Sequence, residues 1–143
     1  HDVGKIAIPD SILLKPGRLT KEEFEYMKEH TTKGCEIINN IRGVWSEEYA
    51  KASYEICRHH HERYDGRGYP DGILGENIPI SAQLVAVADV YDALVNERVY
   101  KSAFSADKAF NMIINGECGT FSPKLMDCFT KCRDRFESLA GER

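Results

Sequence analysis

Apolar side chains recur at helical spacing along most of the chain, and the breaks between these stripes fall at proline, glycine and capping residues. A short apolar turn, Ile6 to Leu14, is interrupted by Pro9 and stopped by Lys15-Pro16-Gly17. Thr20 followed by Glu23 has the form of a capping box. The helix it predicts carries Phe24, Met27 and Lys28 and reaches His30, with a restart at Thr31 or Thr32 and a stripe of Ile37, Ile38 and Ile41 up to Arg42-Gly43. Ser46 caps the next helix, with Glu47 and Glu48 in the first turn, where the helix dipole favours anions. Tyr49, Ala52, Ser53, Ile56, Cys57 and His60 then follow the helical period. A long loop rich in glycine and proline runs from Tyr64 to Ile80, and loops of that length inside a folded domain are usually functional or disordered. Ser81 starts a strongly apolar helix with Leu84, Val85, Ala88, Tyr91 and Val95 on its expected buried face. Ser105 caps a helix ending near Gly116. Ser122-Pro123 opens a last one with Leu125, Cys128, Phe129, Cys132, Phe136 and Leu139 on one side. No alternating strand pattern and no repeat interrupts this order. The expectation is all-α, a single helical bundle forming one domain over residues 1–143.

Composition narrows the partners more than the fold. At 143 residues the chain is long enough for a proper core, and its formal net charge of -4 gives no global positive field for DNA or RNA. Phosphate contacts must therefore come from a few placed Lys and Arg side chains. The cysteines (Cys35, Cys57, Cys118, Cys128 and Cys132) are odd in number and lack zinc-site spacing, a usage that suits a reducing, cytoplasmic setting. No run approaches the length of a membrane span.

The chemistry concentrates at His59-His60-His61-Glu62-Arg63-Tyr64-Asp65-Gly66-Arg67-Gly68-Tyr69-Pro70. A helix cannot continue through that Asp, Gly and Pro loop, so the histidines sit at a helix C-terminus. Neighbouring helical residues point about 100° apart, so two of them enter a shared pocket from different directions, which suits a cluster of ions. The plainer reading is a solvated basic helix end. Asp89 lies within Leu84 to Tyr91, where a carboxylate is costly unless it is paired or holds a metal. A buried salt bridge is the alternative for Asp89, and a surface position is the alternative for His30. Together His1, Asp2, His30, His60, His61 and Asp89 make a mixed imidazole and carboxylate set without thiolate. Such a set disfavours structural zinc and suits Fe, Mn or catalytic Zn. Two ions about 3.5–4 Å apart, bridged by Asp2, would suit phosphate ester hydrolysis.

The run His1-Asp2-Val3-Gly4-Lys5, His30-Thr31 with Gly34, the His60 to Pro70 stretch, and Ala88-Asp89-Val90-Tyr91-Asp92-Ala93-Leu94 with Arg98 and Lys101 closely resemble the HD-GYP family. That family is the branch of the HD phosphohydrolases that degrades the bacterial second messenger cyclic di-GMP. The resemblance covers essentially the whole chain. It implies an HD-type helical bundle and a metal-dependent phosphodiesterase opening cyclic di-GMP to linear pGpG, and onward to GMP. It also implies a cluster of two or three divalent ions, Fe or Mn ahead of Zn. His1, Asp2, His30, His60, His61 and Asp89 match its metal ligands, and Lys5 matches a lysine beside the scissile phosphate. Arg98 and Lys101 match residues that hold the other phosphate and guanine. Tyr69, within Gly68-Tyr69-Pro70, belongs to the loop at the mouth of the site, which the resemblance implicates both in substrate contact through Tyr69 and in contacts with diguanylate cyclase domains. His59 matches no ligand.

The chain departs from the pattern at Val99, where the family usually has proline. The family also carries a ligand histidine, and in many members a glutamate, on a helix upstream of the His-Asp pair. That helix is expected to lie outside this sequence, with sensory domains further upstream and a cytoplasmic setting, free or at a membrane-anchored parent. His1 and Asp2 are then expected to be weakly held. Two rival readings are a weakly catalytic nucleotide-sensing or docking module, and a hydrolase of another cyclic dinucleotide or phosphate ester.

Overall fold

Thr20 opens the first long helical segment with the expected reciprocal cap. The Glu23 amide donates to Thr20 Oγ1 at 3.2 Å, and the Thr20 amide donates to the Glu23 carboxylate at 2.7 Å. The computed structural model describes residues 1–97 and 103–141. Its helices are α1 (Asp10–Leu13), α2 (Lys21–Lys28), α3 (His30–Ile41), α4 (Glu47–His59), α5 (Ile80–Val95), α6 (Ala106–Ile114), α7 (Pro123–Lys131) and α8 (Arg133–Gly141). Tight 3₁₀ turns occupy Val3–Ala7, Arg42–Val44 and Gly75–Asn77. Among the described residues the only extended pairing is an isolated bridge between Asp65 and Leu74, so the architecture is all-α.

The break between α2 and α3 falls at Glu29, one residue before His30 and earlier than the Thr31 or Thr32 restart the sequence suggests. Side chains hold it there. His30 Nδ1 meets the Met27 carbonyl at 2.8 Å, Thr31 Oγ1 donates to Lys28 at 2.9 Å, and Thr32 Oγ1 donates to Glu29 at 3.0 Å.

The core comes in two parts. Cys35, Ile38 and Cys57 pack α3 against α4, with Tyr54 alongside. Val87, Tyr91, Leu94, Ala109, Phe110, Ile113, Leu125 and Phe129 join α5, α6 and α7. The turn that carries the first residues, Val3–Ala7, lies directly on α3. A Cβ on Gly4 would collide with the His30 carbonyl and the Gly34 amide, and one on Gly34 would collide with Cys57 Sγ. Two glycines thus bring backbone against backbone beside the first histidines.

Several helix faces differ from the sequence reading. In α5 the buried residues are Ala82, Gln83, Ala86, Val87, Tyr91 and Leu94, whereas Leu84 is 53% exposed. That helix is apolar almost all round, so periodicity does not select its inner face. α5 begins at Ile80, and Ser81 spends its hydroxyl on Glu55 at 3.2 Å in place of a cap. Ser122 likewise donates to Glu76 at 3.1 Å. The last predicted helix is two, broken at Cys132. The break lets Phe136 set its ring 5.0 Å from both Tyr91 and Phe129 and lets its carbonyl accept from Tyr91 Oη at 3.2 Å. The Leu139 side chain, and the connection containing Arg98, Val99, Tyr100 and Lys101, lie outside the described residues.

Candidate metal centre and active site

Helix ends deliver the histidines. α4 stops at His59, and the loop predicted from Asp, Gly and Pro turns the chain away with His60 as the C-terminal cap. The buried His60 ring turns inward because its Nδ1 faces the Ile56 and Cys57 carbonyls, both at 3.0 Å. His30, at the first position of α3, is aimed the same way by its contact to Met27. A carbonyl only accepts, so Nδ1 carries the proton in each ring and Nε2 presents a lone pair. The two Nε2 atoms lie 3.3 Å apart. Two lone pairs at that distance repel unless a cation or a proton stands between them.

Asp2 completes this corner. Its Oδ1 lies 3.5 Å from His30 Nε2 and 3.8 Å from His60 Nε2. That oxygen is buried and has no hydrogen-bond partner among the described residues. Ligand atoms from Asp2, His30, His60 and His61 all fall within 4.8 Å of one another. His61 stands with its ring centroid 4.1 Å from that of His60 and 5.1 Å from that of His30. On the far side of Asp2, His1 Nε2 lies 3.4 Å from Asp2 Oδ2 and 3.6 Å from Asp89 Oδ1. Asp89 enters from α5, so α3, α4, α5 and the first turn all converge here.

The electrostatics favour a cation. The Asp2 and Asp89 carboxylates hold the His1 imidazole up to about 10, against the cost of its partial burial. Burial acts the other way on the inner rings, pushing His60 down to about 4 and His61 to about 3, and lowering His30. Those three rings are therefore neutral, the form in which imidazole binds a metal. Burial works to raise the Asp2 carboxyl, but hydrogen bonds from His1 and Lys5 outweigh it and hold the group below the usual range. Hydrogen bonding to His1 lowers Asp89 as well. Neutral nitrogens, ionised oxygens and an orphaned carboxylate oxygen fit a divalent ion with N and O ligands.

The remaining candidates divide. Lys5 Nζ donates to Asp2 Oδ2 at 2.6 Å, so its ammonium sits at the edge of the cluster. Tyr69 faces inward, its ring stacked on His61 at 4.8 Å. Asp92, three residues beyond Asp89 on α5, is exposed and accepts from Asn96 at 2.8 Å. His59 turns away towards Asp71 at 3.5 Å, and Asp71 is held in a two-pronged pair with Arg58 at 2.7 Å. Arg98 and Lys101 lie outside the described residues. A cavity of about 190 Å³ opens beside the histidines, its lining including His60, His61, Tyr69, Asp89, Gly119 and Thr120.

Glu62 has a role that sequence reasoning missed. Its buried carboxylate accepts the amides of Asp71, Gly72 and Ile73 at 2.7, 3.1 and 3.1 Å. Glu62 therefore closes the loop back onto the helix end. A carboxylate next to two inward histidines invites reading as a ligand, and only the three converging amides show otherwise.

The chain matches the HD domain family over residues 1–125. It is 47% identical over 142 residues to a cyclic di-GMP phosphodiesterase of Vibrio cholerae, an alignment covering 99% of this chain and 29% of that protein. It is 44% identical over 142 residues to the cyclic di-GMP phosphodiesterase response regulator RpfG of Xanthomonas campestris, covering 99% and 36%. A 3'3'-cGAMP-specific phosphodiesterase 2 of Vibrio cholerae is 40% identical over 139 residues, covering 97% and 26%. The chain thus spans about a third of the length of these relatives. By this match and these identities, the chain belongs to the HD-domain family, in the HD-GYP branch.

Proposed function

We propose that this chain is the hydrolytic domain of a metal-dependent phosphodiesterase that opens cyclic di-GMP to linear pGpG. The observation that carries the reading is the pair of Nε2 lone pairs 3.3 Å apart beside the partnerless Asp2 Oδ1. In this reading His1, Asp2, His30, His60, His61 and Asp89 would hold the ions. The ions supply Lewis-acid polarisation of the phosphoryl oxygen and activation of water near neutral pH. Fe or Mn suits the donor set better than Zn.

The chain's own groups do the rest. Lys5, held at the cluster edge by Asp2, neutralises charge that develops on the reacting phosphate. Arg98 and Lys101 are assigned to the second phosphate and guanine on their motif positions. The cavity beside the histidines is about 190 Å³. That is below the roughly 300–1,000 Å³ of pockets that enclose a whole ligand. It admits the reacting phosphate and leaves the rest of a dinucleotide across the open mouth. Tyr69 of the Gly68-Tyr69-Pro70 loop lines the cavity, and a diguanylate cyclase domain is a candidate partner for this loop.

Hydrolysis of cyclic di-GMP by anaerobically prepared, Fe(II)- or Mn(II)-loaded protein tests this, with pGpG as the expected product. Asp2→Ala is expected to remove more than one metal equivalent and abolish turnover, while His59→Ala retains the metal. Binding of cyclic di-GMP without turnover would favour the sensing or docking module. The relative named for 3'3'-cGAMP makes that dinucleotide the second substrate to assay. Preferential cleavage of it would move the substrate assignment and keep the chemistry.

A further inference from the structure

Of the inner histidines, two are aimed by hydrogen bonds and one is not. His30 and His60 each place Nδ1 against a main-chain carbonyl. Among the described residues no hydrogen bond orients the His61 ring. A metal-binding histidine almost always has a partner on its second nitrogen, because that partner fixes ring orientation. His61 has a flat surface in its place. The Tyr69 ring stacks on it with centroids 4.8 Å apart and planes 27° from parallel.

Tyr69 is itself clamped. Phe24 meets its ring edge-on at 6.3 Å, and the Lys28 ammonium lies 5.3 Å from the Tyr69 centroid and 5.1 Å from that of Phe24. Phe24 and Lys28 are one helical turn apart on α2. From the other direction the backbone closes on the helix end, with the Tyr69 amide donating to the His61 carbonyl at 3.2 Å. A Cβ on Gly68 would collide with Glu62 and Arg63, so only glycine allows this approach. Glu62 then anchors the outgoing strand of the loop at residues 71 to 73.

We infer that Tyr69 is a positioning residue for His61, setting the imidazole plane through its ring face, with Phe24 and Lys28 holding it in place. This rests on reading the cluster as a metal site. It differs from the role in substrate contact that the motif resemblance suggests, because the ring, and not the hydroxyl, carries the function.

Mn(II) affinity, read from the EPR signal of the free ion, tests this without any turnover. Tyr69→Leu keeps apolar bulk and loses the flat face, and is expected to weaken Mn(II) binding by roughly ten- to a hundredfold. Tyr69→Phe keeps the ring and is expected to bind Mn(II) like the parent protein. Parent-like affinity in Tyr69→Leu overturns the inference, and so does a loss in Tyr69→Phe equal to that in Tyr69→Leu. If Tyr69→Leu does not fold, Phe24→Leu decides. It removes the ring edge that backs Tyr69, and should weaken Mn(II) binding while melting of the metal-free protein stays unchanged; unaltered affinity overturns the inference. A protein that shows the expected Mn(II) pattern and leaves cyclic di-GMP intact would refute the phosphodiesterase reading alone.

Discussion

Glu62 shows how much one side chain settles at this site. Its carboxylate takes three consecutive loop amides, and it is 6% exposed. Glu62→Gln keeps the shape and halves the accepting capacity, since an amide has one oxygen and its nitrogen repels a donor. Hydrogen bonds to a charged group contribute about 1.5–3 kcal/mol, so a loss of about 2 kcal/mol is expected. A lower urea midpoint with an unchanged slope would show it; an unshifted midpoint would mean that water replaces the clamp. At this scale the sequence was legible where residues announce a helix end. The Asp, Gly and Pro loop correctly placed His60 and His61 at the end of α4. The approach of Gly4 to Gly34 was not legible, because its signal is the absence of a side chain at two positions thirty residues apart in sequence.

Loops and helices depend on one another here through Asp65. Its carboxylate accepts from Thr120 Oγ1 at 2.8 Å, from the Arg67 amide at 3.0 Å and from the Arg63 and Arg67 guanidinium groups. Thr120 precedes α7, so this contact ties the loop after α4 to the C-terminal half of the chain. Hydrogen bonding from Thr120 above all holds the Asp65 carboxyl below its ordinary 3.8. A carboxyl that is more acidic folded than unfolded gives its full contribution above the unfolded value, and loses it as pH falls towards the folded one. Proteolytic cutting between residues 64 and 76 should therefore rise as pH drops below about 4. Asp65→Asn should show the same cutting at neutral pH, and equal resistance in that variant at pH 7 would rule out the tie. From its length alone, the sequence marked this loop as functional or disordered. It gave no sign of the partner, which lies fifty-five residues on. Helix faces were legible where apolar and polar residues alternate, and lost in α5, where nearly every residue is apolar. The division at Cys132 carries no proline or glycine; it follows from where Phe136 finds aromatic neighbours.

Across the molecule, the candidate metal ligands occupy the seam between the two parts of the core, with α3 and α4 on one side and α5 on the other. A metal that binds only the folded chain stabilises it by mass action, about 2.7 kcal/mol at a hundred times its dissociation constant. That gain need not spread evenly, and the imidazole contacts to main chain say where it goes. His30 bonds the last turn of α2 through Met27, and His60 bonds the last turn of α4 through Ile56 and Cys57. Fraying either turn swings a ligand out of place, so local opening and metal release are one event. Amide hydrogen exchange should report this. Chelation is expected to speed exchange at the C-terminal turns of α2 and α4 while the core of α5, α6 and α7 stays protected. Uniform acceleration, or none, would separate the ion from the helix ends. The bound ion would then act as a lock on two helix termini, with its release felt first as main-chain breathing at residues 27 to 30 and 56 to 61.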